Sequence, residues 1–174
     1  MLKNQNNKNK VYLKAIVYKD LKALYKIYCE PEINKWFGGK ISFEQYKKIF
    51  RKFKKKMKNG ESVHLAVVLE NKEQPIGEVN LYSINREYKS AEFLIIISKK
   101  FWRQGYGLEA SHKIIEHAFK KMKLRRLTLE INSKNIASIK LCKKLGFTIE
   151  GIKKEAIKFE GKWCDEVILG ILNK

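Results

Sequence analysis

Phe101-Trp102-Arg103-Gln104-Gly105-Tyr106-Gly107-Leu108-Glu109-Ala110 is the stretch on which the fold turns. Two glycines directly ahead of a helix let the backbone approach a ligand closely. The helix start adds unpaired amides and the positive end of a dipole, so the turn suits a phosphate or pyrophosphate. Upstream, Ala91 to Ser98 is apolar on both faces except at Glu92, the pattern of a central strand covered on both sides. Downstream, Leu108, Ile114, Ile115, Ala118 and Met122 fall on one face of a helix predicted from about Gly107 to Lys121. The glycine turn also satisfies the dinucleotide fingerprint, with Glu130 near the spacing of a ribose-binding acid. Two features oppose that reading. Lys99 to Gln104 separate the strand from Gly105, and the three strands before the turn have no helices between them, as a nicotinamide-binding fold requires.

Outward from this stretch the elements alternate clearly. Val11 to Val17 reads as a strand, and Asp20 as the amino-terminal cap of a helix carrying Leu21, Leu24, Tyr25 and Tyr28 inward, ended by Glu30-Pro31. Ser42-Phe43-Glu44-Gln45 fits a reciprocal capping box opening a second helix. Phe43, Tyr46, Ile49, Phe50, Phe53 and Met57 form its apolar stripe, and its other face is strongly basic. Strands follow at Val63 to Leu69 and Ile76 to Tyr82, with a hairpin turn predicted from Asn71 to Pro75. After the central helix come a strand at Arg126 to Asn132, a helix at Ile136 to Leu145 closed by Gly146, and strands near Thr148 to Lys158 and Val167 to Leu172.

The 174 residues suffice for one well-buried core, so residues 1–174 are expected to form a single domain, with 1–10 a flexible basic tail. No apolar run approaches a membrane span and no signal-peptide core is visible, which points to the cytoplasm. Three cysteines without paired ligand spacing argue against disulfides and a metal site. The net charge of +20 admits a polyanionic partner, or simply reflects a Lys-, Asn- and Ile-rich composition.

The glycine stretch resembles the acetyl-CoA pyrophosphate loop of the GNAT superfamily of N-acetyltransferases, in the form typical of its RimJ/RimL-like branch. Asn135-Ile136-Ala137-Ser138-Ile139-Lys140-Leu141-Cys142-Lys143-Lys144-Leu145-Gly146-Phe147 resembles that branch's second motif. Glu150-Gly151, Gly161 to Asp165, and Val11-Tyr12-Leu13 with Asp20 also match, so the resemblance covers nearly the whole chain. It implies an α/β (α+β) fold with a mixed, mostly antiparallel sheet of six to seven strands, splayed between strands 4 and 5, and about four helices. It implies acetyl-CoA as co-substrate and no metal. The pantetheine arm is then expected against the backbone of Ile95, Ile96 and Ile97. The pyrophosphate is expected in the loop of Trp102, Arg103, Gln104, Gly105, Tyr106, Gly107 and Leu108. Asn135, Ser138, Lys140, Cys142 and Lys143 are further candidate contacts, with Arg103, Lys140 and Lys143 directed at the outer phosphates.

The implied chemistry is direct attack of an amine on the thioester, with one group removing a proton and another protonating the leaving thiolate. Glu92 is the candidate base, because it is the one carboxylate in the central apolar strand, where partial burial would suit it to accepting a proton. Many relatives carry Tyr where Cys142 stands; a thiol there reads better as a small buried hydrophobe, which leaves the general acid unassigned. As acceptor, a polyamine needs acidic linings, against which the basic second helix argues. A protein α-amino group with pKa about 8 is neutral roughly one time in ten at pH 7, a lysine only about one time in 2,500. A ribosomal-protein amino terminus is therefore the first expectation, with a small amine open. A basic, ribosome- or RNA-binding module on the same scaffold is the non-enzyme alternative. Either a monomer or a homodimer is compatible with the sequence.

Overall fold

The computed structural model describes residues 10–70 and 72–173. Residues 1–9 of the expected tail and residue 71 of the predicted hairpin turn lie outside those residues, whereas the Lys10 carbonyl accepts from the Glu70 amide at 3.0 Å. Seven strands form one sheet in the order β1-β2-β3-β4-β5-β7-β6. They are β1 (Val11–Ala15), β2 (Val63–Leu69), β3 (Gly77–Asn85), β4 (Ser90–Ile97), β5 (Arg126–Asn132), β6 (Thr148–Phe159) and β7 (Lys162–Leu172). Five α-helices accompany them: α1 (Leu21–Tyr28), α2 (Pro31–Asn34), α3 (Phe43–Lys58), α4 (Tyr106–Glu116) and α5 (Ile136–Lys144). No described helix is long and apolar enough to cross a membrane.

Two apolar cores sit on opposite faces of the sheet. On one, Ala91, Phe93 and Ile97 of β4 pack with Tyr106, Ala110 and Ile114 of α4 and with Cys142 and Leu145 at α5. On the other, Ala66 and Ile96 pack beneath Leu21, Leu24 and Ile27 of α1 and Phe50 of α3. A strand buried on both faces cannot alternate, which is why β4 is a near-continuous apolar run.

Every strand pair is antiparallel except β4 with β5, and that pair is short. Its register runs Ser90↔Arg126, Ala91↔Leu127 and Glu92↔Thr128, then stops. β5 continues to Asn132 against β7, and β4 continues to Ile97 against β3. From Phe93 onward the two strands therefore diverge around a gap, as the resemblance implied.

The capping box forms as expected: Ser42 Oγ accepts from the Gln45 amide at 3.2 Å, and the Gln45 side chain accepts from the Ser42 amide at 2.7 Å. One local expectation is corrected. Asp20 does not cap α1; its carboxylate turns back to accept from the Val17 amide at 3.0 Å and from Lys14 at 2.8 Å, closing a 3-10 turn. The first helix does end ahead of Glu30-Pro31, at Tyr28, and Pro31 then opens α2, since a proline without an amide hydrogen is tolerated in a first turn. The last strand also starts earlier than predicted, because Glu160 and Gly161 make a tight turn and the hairpin zips up to Phe159↔Lys162.

Candidate active site

The direction of the β4 backbone groups decides what the gap offers. Ser98 donates its amide to Ile76 of the β3 side at 2.9 Å, whereas the Lys89 carbonyl accepts from Arg126 of β5 at 3.1 Å. Because amide and carbonyl of one residue point to the same side and alternate along a strand, the odd residues face β5 and the even ones face β3. Phe93, Ile95 and Ile97 therefore direct their backbone groups into the gap. Ile96 directs its groups toward β3: a Cβ on Gly77 would stand 2.1 Å from the Ile96 carbonyl oxygen, so only glycine allows that approach. The expectation for Ile96 as a backbone partner of the cofactor is corrected accordingly. Ile97 is partly engaged already, since its carbonyl accepts from the Trp102 indole at 2.6 Å.

The gap leads to the start of α4. Gly105 is the amino-terminal flank of that helix at φ 88°, a left-handed value that costs other residues about 1–2 kcal/mol. Arg103 also has positive φ, at 58°. Tyr106 is buried, while Arg103, Gln104 and Gly105 are exposed, and Leu108 packs at the edge of the core. Gln104 donates to the Lys100 carbonyl at 2.9 Å and steadies the loop. Gly107 sits between β4 and α5: a Cβ there would meet Ile97 at 3.5 Å and Leu141 at 3.8 Å. The first amides of a helix lack intrahelical partners, and such a helix start suits an anion. Across the gap, Asn135 caps α5 by accepting from the Ser138 amide at 3.3 Å, and Lys140 and Lys143 are exposed on that helix. Cys142 is 1% exposed within the core, and burial pushes its thiol up to about 12. It presents no surface to a ligand, which corrects the expectation that it contacts the cofactor and fits a small buried hydrophobe.

Glu92 occupies the last paired position of β4 and β5, at the vertex of the gap, on the sheet face that carries α1 and α3. Its side chain is exposed, so the partial burial that suggested it as base is absent: α1 and α3 roof β2 to β4 farther along the strand and stop short of it.

What they roof is a cavity of about 160 Å³. Its floor is His64, Glu78, Tyr82, Leu94 and Ile96; its roof includes Tyr28, Phe37, Tyr46, Phe50 and Phe53. The apolar stripe of α3 faces this space, and among the described residues no lysine or arginine lines it, although Lys56 lies close enough to His64 to disfavour a positive charge there. Glu78 does not stand out in the sequence, yet Glu78, Asn80 and Tyr82 recur at period two in β3 and so share the face beneath α3. Burial raises the pKa of the Glu78 carboxyl, with Asn80 opposing it. Burial likewise holds Tyr46 and Tyr82 above the ordinary phenol value. His64 stacks on Phe53 with ring centroids 4.4 Å apart and meets Tyr82 edge-on at 4.8 Å.

The sequence profile described as acetyltransferase (GNAT) domain matches residues 10–148. The chain belongs to the GNAT acetyltransferases. Similar proteins include an uncharacterized N-acetyltransferase of Bacillus subtilis (strain 168), YnaD, 27% identical over 165 residues and 95% of each chain. Spermidine N(1)-acetyltransferase of Escherichia coli (strain K12) is 33% identical over 84 residues, 48% of this chain and 45% of that protein. Among solved structures, spermidine N-acetyltransferase from Vibrio cholerae in complex with CoA and spermine superposes with a TM-score of 0.84 at 23% identity, covering 93% of this chain and 95% of that one. This GNAT protein is thus an N-acetyltransferase with a gap, a helix start and a roofed cavity meeting along β4.

Proposed function

We propose that the chain transfers the acetyl group of acetyl-CoA to a small primary amine. The observation that carries this is the open edge of β4, where Phe93, Ile95 and Ile97 offer backbone donors and acceptors at every second residue, ending at the amides of α4. A strand edge of this kind needs hydrogen-bond partners, and a pantetheine arm carries amides followed by a pyrophosphate. Bound there, acetyl-CoA supplies an acyl carbon that an amine can attack. The chain's own groups hold the donor: the amides of Gly105 to Leu108 take the pyrophosphate, Arg103, Lys140 and Lys143 the outer phosphates, and Asn135 with Ser138 the opposite wall.

Relatives named as spermidine acetyltransferases favour a small-amine acceptor. The RimJ/RimL-like placing favours a protein α-amino group instead, but the cavity beside the gap has room for little beyond a single side chain. Glu92 takes up a proton at the vertex of the gap in contact with solvent. Glu92→Gln is expected to lower turnover about tenfold with acetyl-CoA affinity unchanged, measured by thiol release and calorimetry; undiminished turnover removes Glu92 from the mechanism.

The reading is tested by titrating acetyl-CoA into the purified chain and following free CoA release over peptides, polyamines, amino sugars and arylalkylamines. Saturable binding with amine-dependent release is expected. Binding without release to any amine would overturn it.

A further inference from the structure

We propose that the cavity under α1 and α3 is the acceptor subsite, and that it takes a compact primary amine with one ammonium group and an apolar body about the size of a benzene ring, docked on Glu78. The proposal rests on the acetyltransferase reading and narrows its acceptor.

Position comes first. Glu78 is paired with Ile96 across β3 and β4, so the two side chains stand beside each other on one face. Ile96 and Leu94 are at once cavity floor and part of the strand that borders the gap. An amine nitrogen at Glu78 is therefore one strand, about 4.8 Å, from β4, and the donor would lie along the opposite edge of β4.

Charge comes second. Among the lining residues Glu78 is the one carboxylate and no lysine or arginine is present. Tyr46 and Tyr82 remain phenols at neutral pH because burial raises their pKa. His64 is pushed down to about 4 and is neutral. One negative group inside aromatic walls matches one cation. Ring faces attract a desolvated ammonium, and the carboxylate adds a charged hydrogen bond. Spermidine would bring further ammonium groups that find no second carboxylate in this lining, and a charge buried without a partner is costly.

Size and polarity come third. An apolar cavity of about 150 Å³ holds benzene, close to the volume here. His64 Nε2 is buried and has no hydrogen-bond partner among the described residues, so the wall also offers a polar atom that a ligand can satisfy.

The nitrogen sheds two protons during transfer. Docked as R–NH3+, it gives one to the Glu78 carboxylate, whose burial strengthens its hold on a proton, and becomes the neutral nucleophile. The new N–C bond then forms, the C–S bond breaks, and its electron pair leaves on sulfur. The second nitrogen proton departs toward solvent past Glu92, and the CoA thiolate leaves as such or is protonated by water.

The test compares phenethylamine, spermidine and an apolar-ended tripeptide as acceptors for the full chain with saturating acetyl-CoA, alongside Glu78→Gln. The expected result is a kcat/KM for phenethylamine at least a hundredfold above that for spermidine or the peptide. Glu78→Gln should lower it at least a hundredfold while the Kd for acetyl-CoA stays within twofold. Preference for spermidine or the peptide overturns the proposal and leaves the acetyltransferase reading standing, as does a folded Glu78→Gln with unchanged kcat/KM. Should Glu78→Gln not fold, the wild-type preference alone decides. Absence of acetyl-CoA binding overturns the donor assignment itself, and this inference with it.

Discussion

Gly107→Asp is expected to leave the chain as stable as before, or slightly more so, while weakening acetyl-CoA binding at least a hundredfold. Gly107 is the second residue of α4, after Tyr106 and the left-handed Gly105. A Cβ there meets Ile97 and Leu141 only at ordinary contact distances, so nothing must move to admit it. Glycine within a helix costs roughly 1 kcal/mol relative to better formers, and an acidic residue in the first turn gains about 0.3–1 kcal/mol from the helix dipole. Both effects favour aspartate for the fold. For the ligand they reverse, because the carboxylate occupies the amides and the field that otherwise serve a pyrophosphate, and repels it. Thermal melts should therefore rise or hold while calorimetry shows the affinity lost. Gly107→Ala separates the two causes: it adds the Cβ without the charge and should weaken binding only about tenfold. An unchanged Kd in Gly107→Asp would place the pyrophosphate elsewhere.

The second large effect is loss of stability in mild acid through His64. The ring is 1% exposed, stacked on Phe53 and edge-on to Tyr82, with Lys56 of α3 adding repulsion to any positive charge and Glu78 sharing the cavity. Desolvation lowers its pKa from 6.5 to about 4. Between those values the unfolded chain binds a proton that the folded chain refuses, so stability is fully present above about pH 6.5 and falls as pH drops toward 4. The interval corresponds to on the order of 3 kcal/mol. Carboxylates titrate in the same range, so the comparison that isolates His64 is with His64→Phe, which keeps an aromatic ring in the stack. Denaturant midpoints at pH 7 and 4.5 should fall further for the wild type than for His64→Phe, by about 2–3 kcal/mol after conversion. Parallel loss in both chains would show that His64 is not the group responsible.

Much of this architecture is legible in the residues themselves. The two-faced apolar run of β4 announces a central strand, Ser42 with Gln45 announces the start of α3, and Gly105 with Gly107 announces the turn into α4. These are local signals, each decided within a few residues. What escapes is whatever depends on how far one element overhangs another. Glu92 reads as partly buried because its neighbours are apolar, but burial there depends on where α1 and α3 end above the sheet. Glu78 reads as one polar residue in a half-buried strand; only the roof of α3 converts it into the floor of a cavity. Backbone direction escapes for a different reason: side chains announce which face they occupy, whereas the edge to which an amide points is fixed by the register of the neighbouring strands. Asp20 shows the local limit, since a carboxylate at a helix start can cap forward or fold back, and Lys14 and the Val17 amide draw it back.

The short register between β4 and β5 has a consequence for the protein's life without substrate. A run of unpaired backbone groups in the middle of a sheet is an internal edge, and exposed edges recruit other chains. At the proposed donor site, acetyl-CoA would act as a removable eighth strand, closing the seam that the polypeptide leaves open. Stability is then coupled to coenzyme supply, gaining about 2.7 kcal/mol at a hundred times the Kd. Depletion of the coenzyme would then both halt acetyl transfer and reopen that seam.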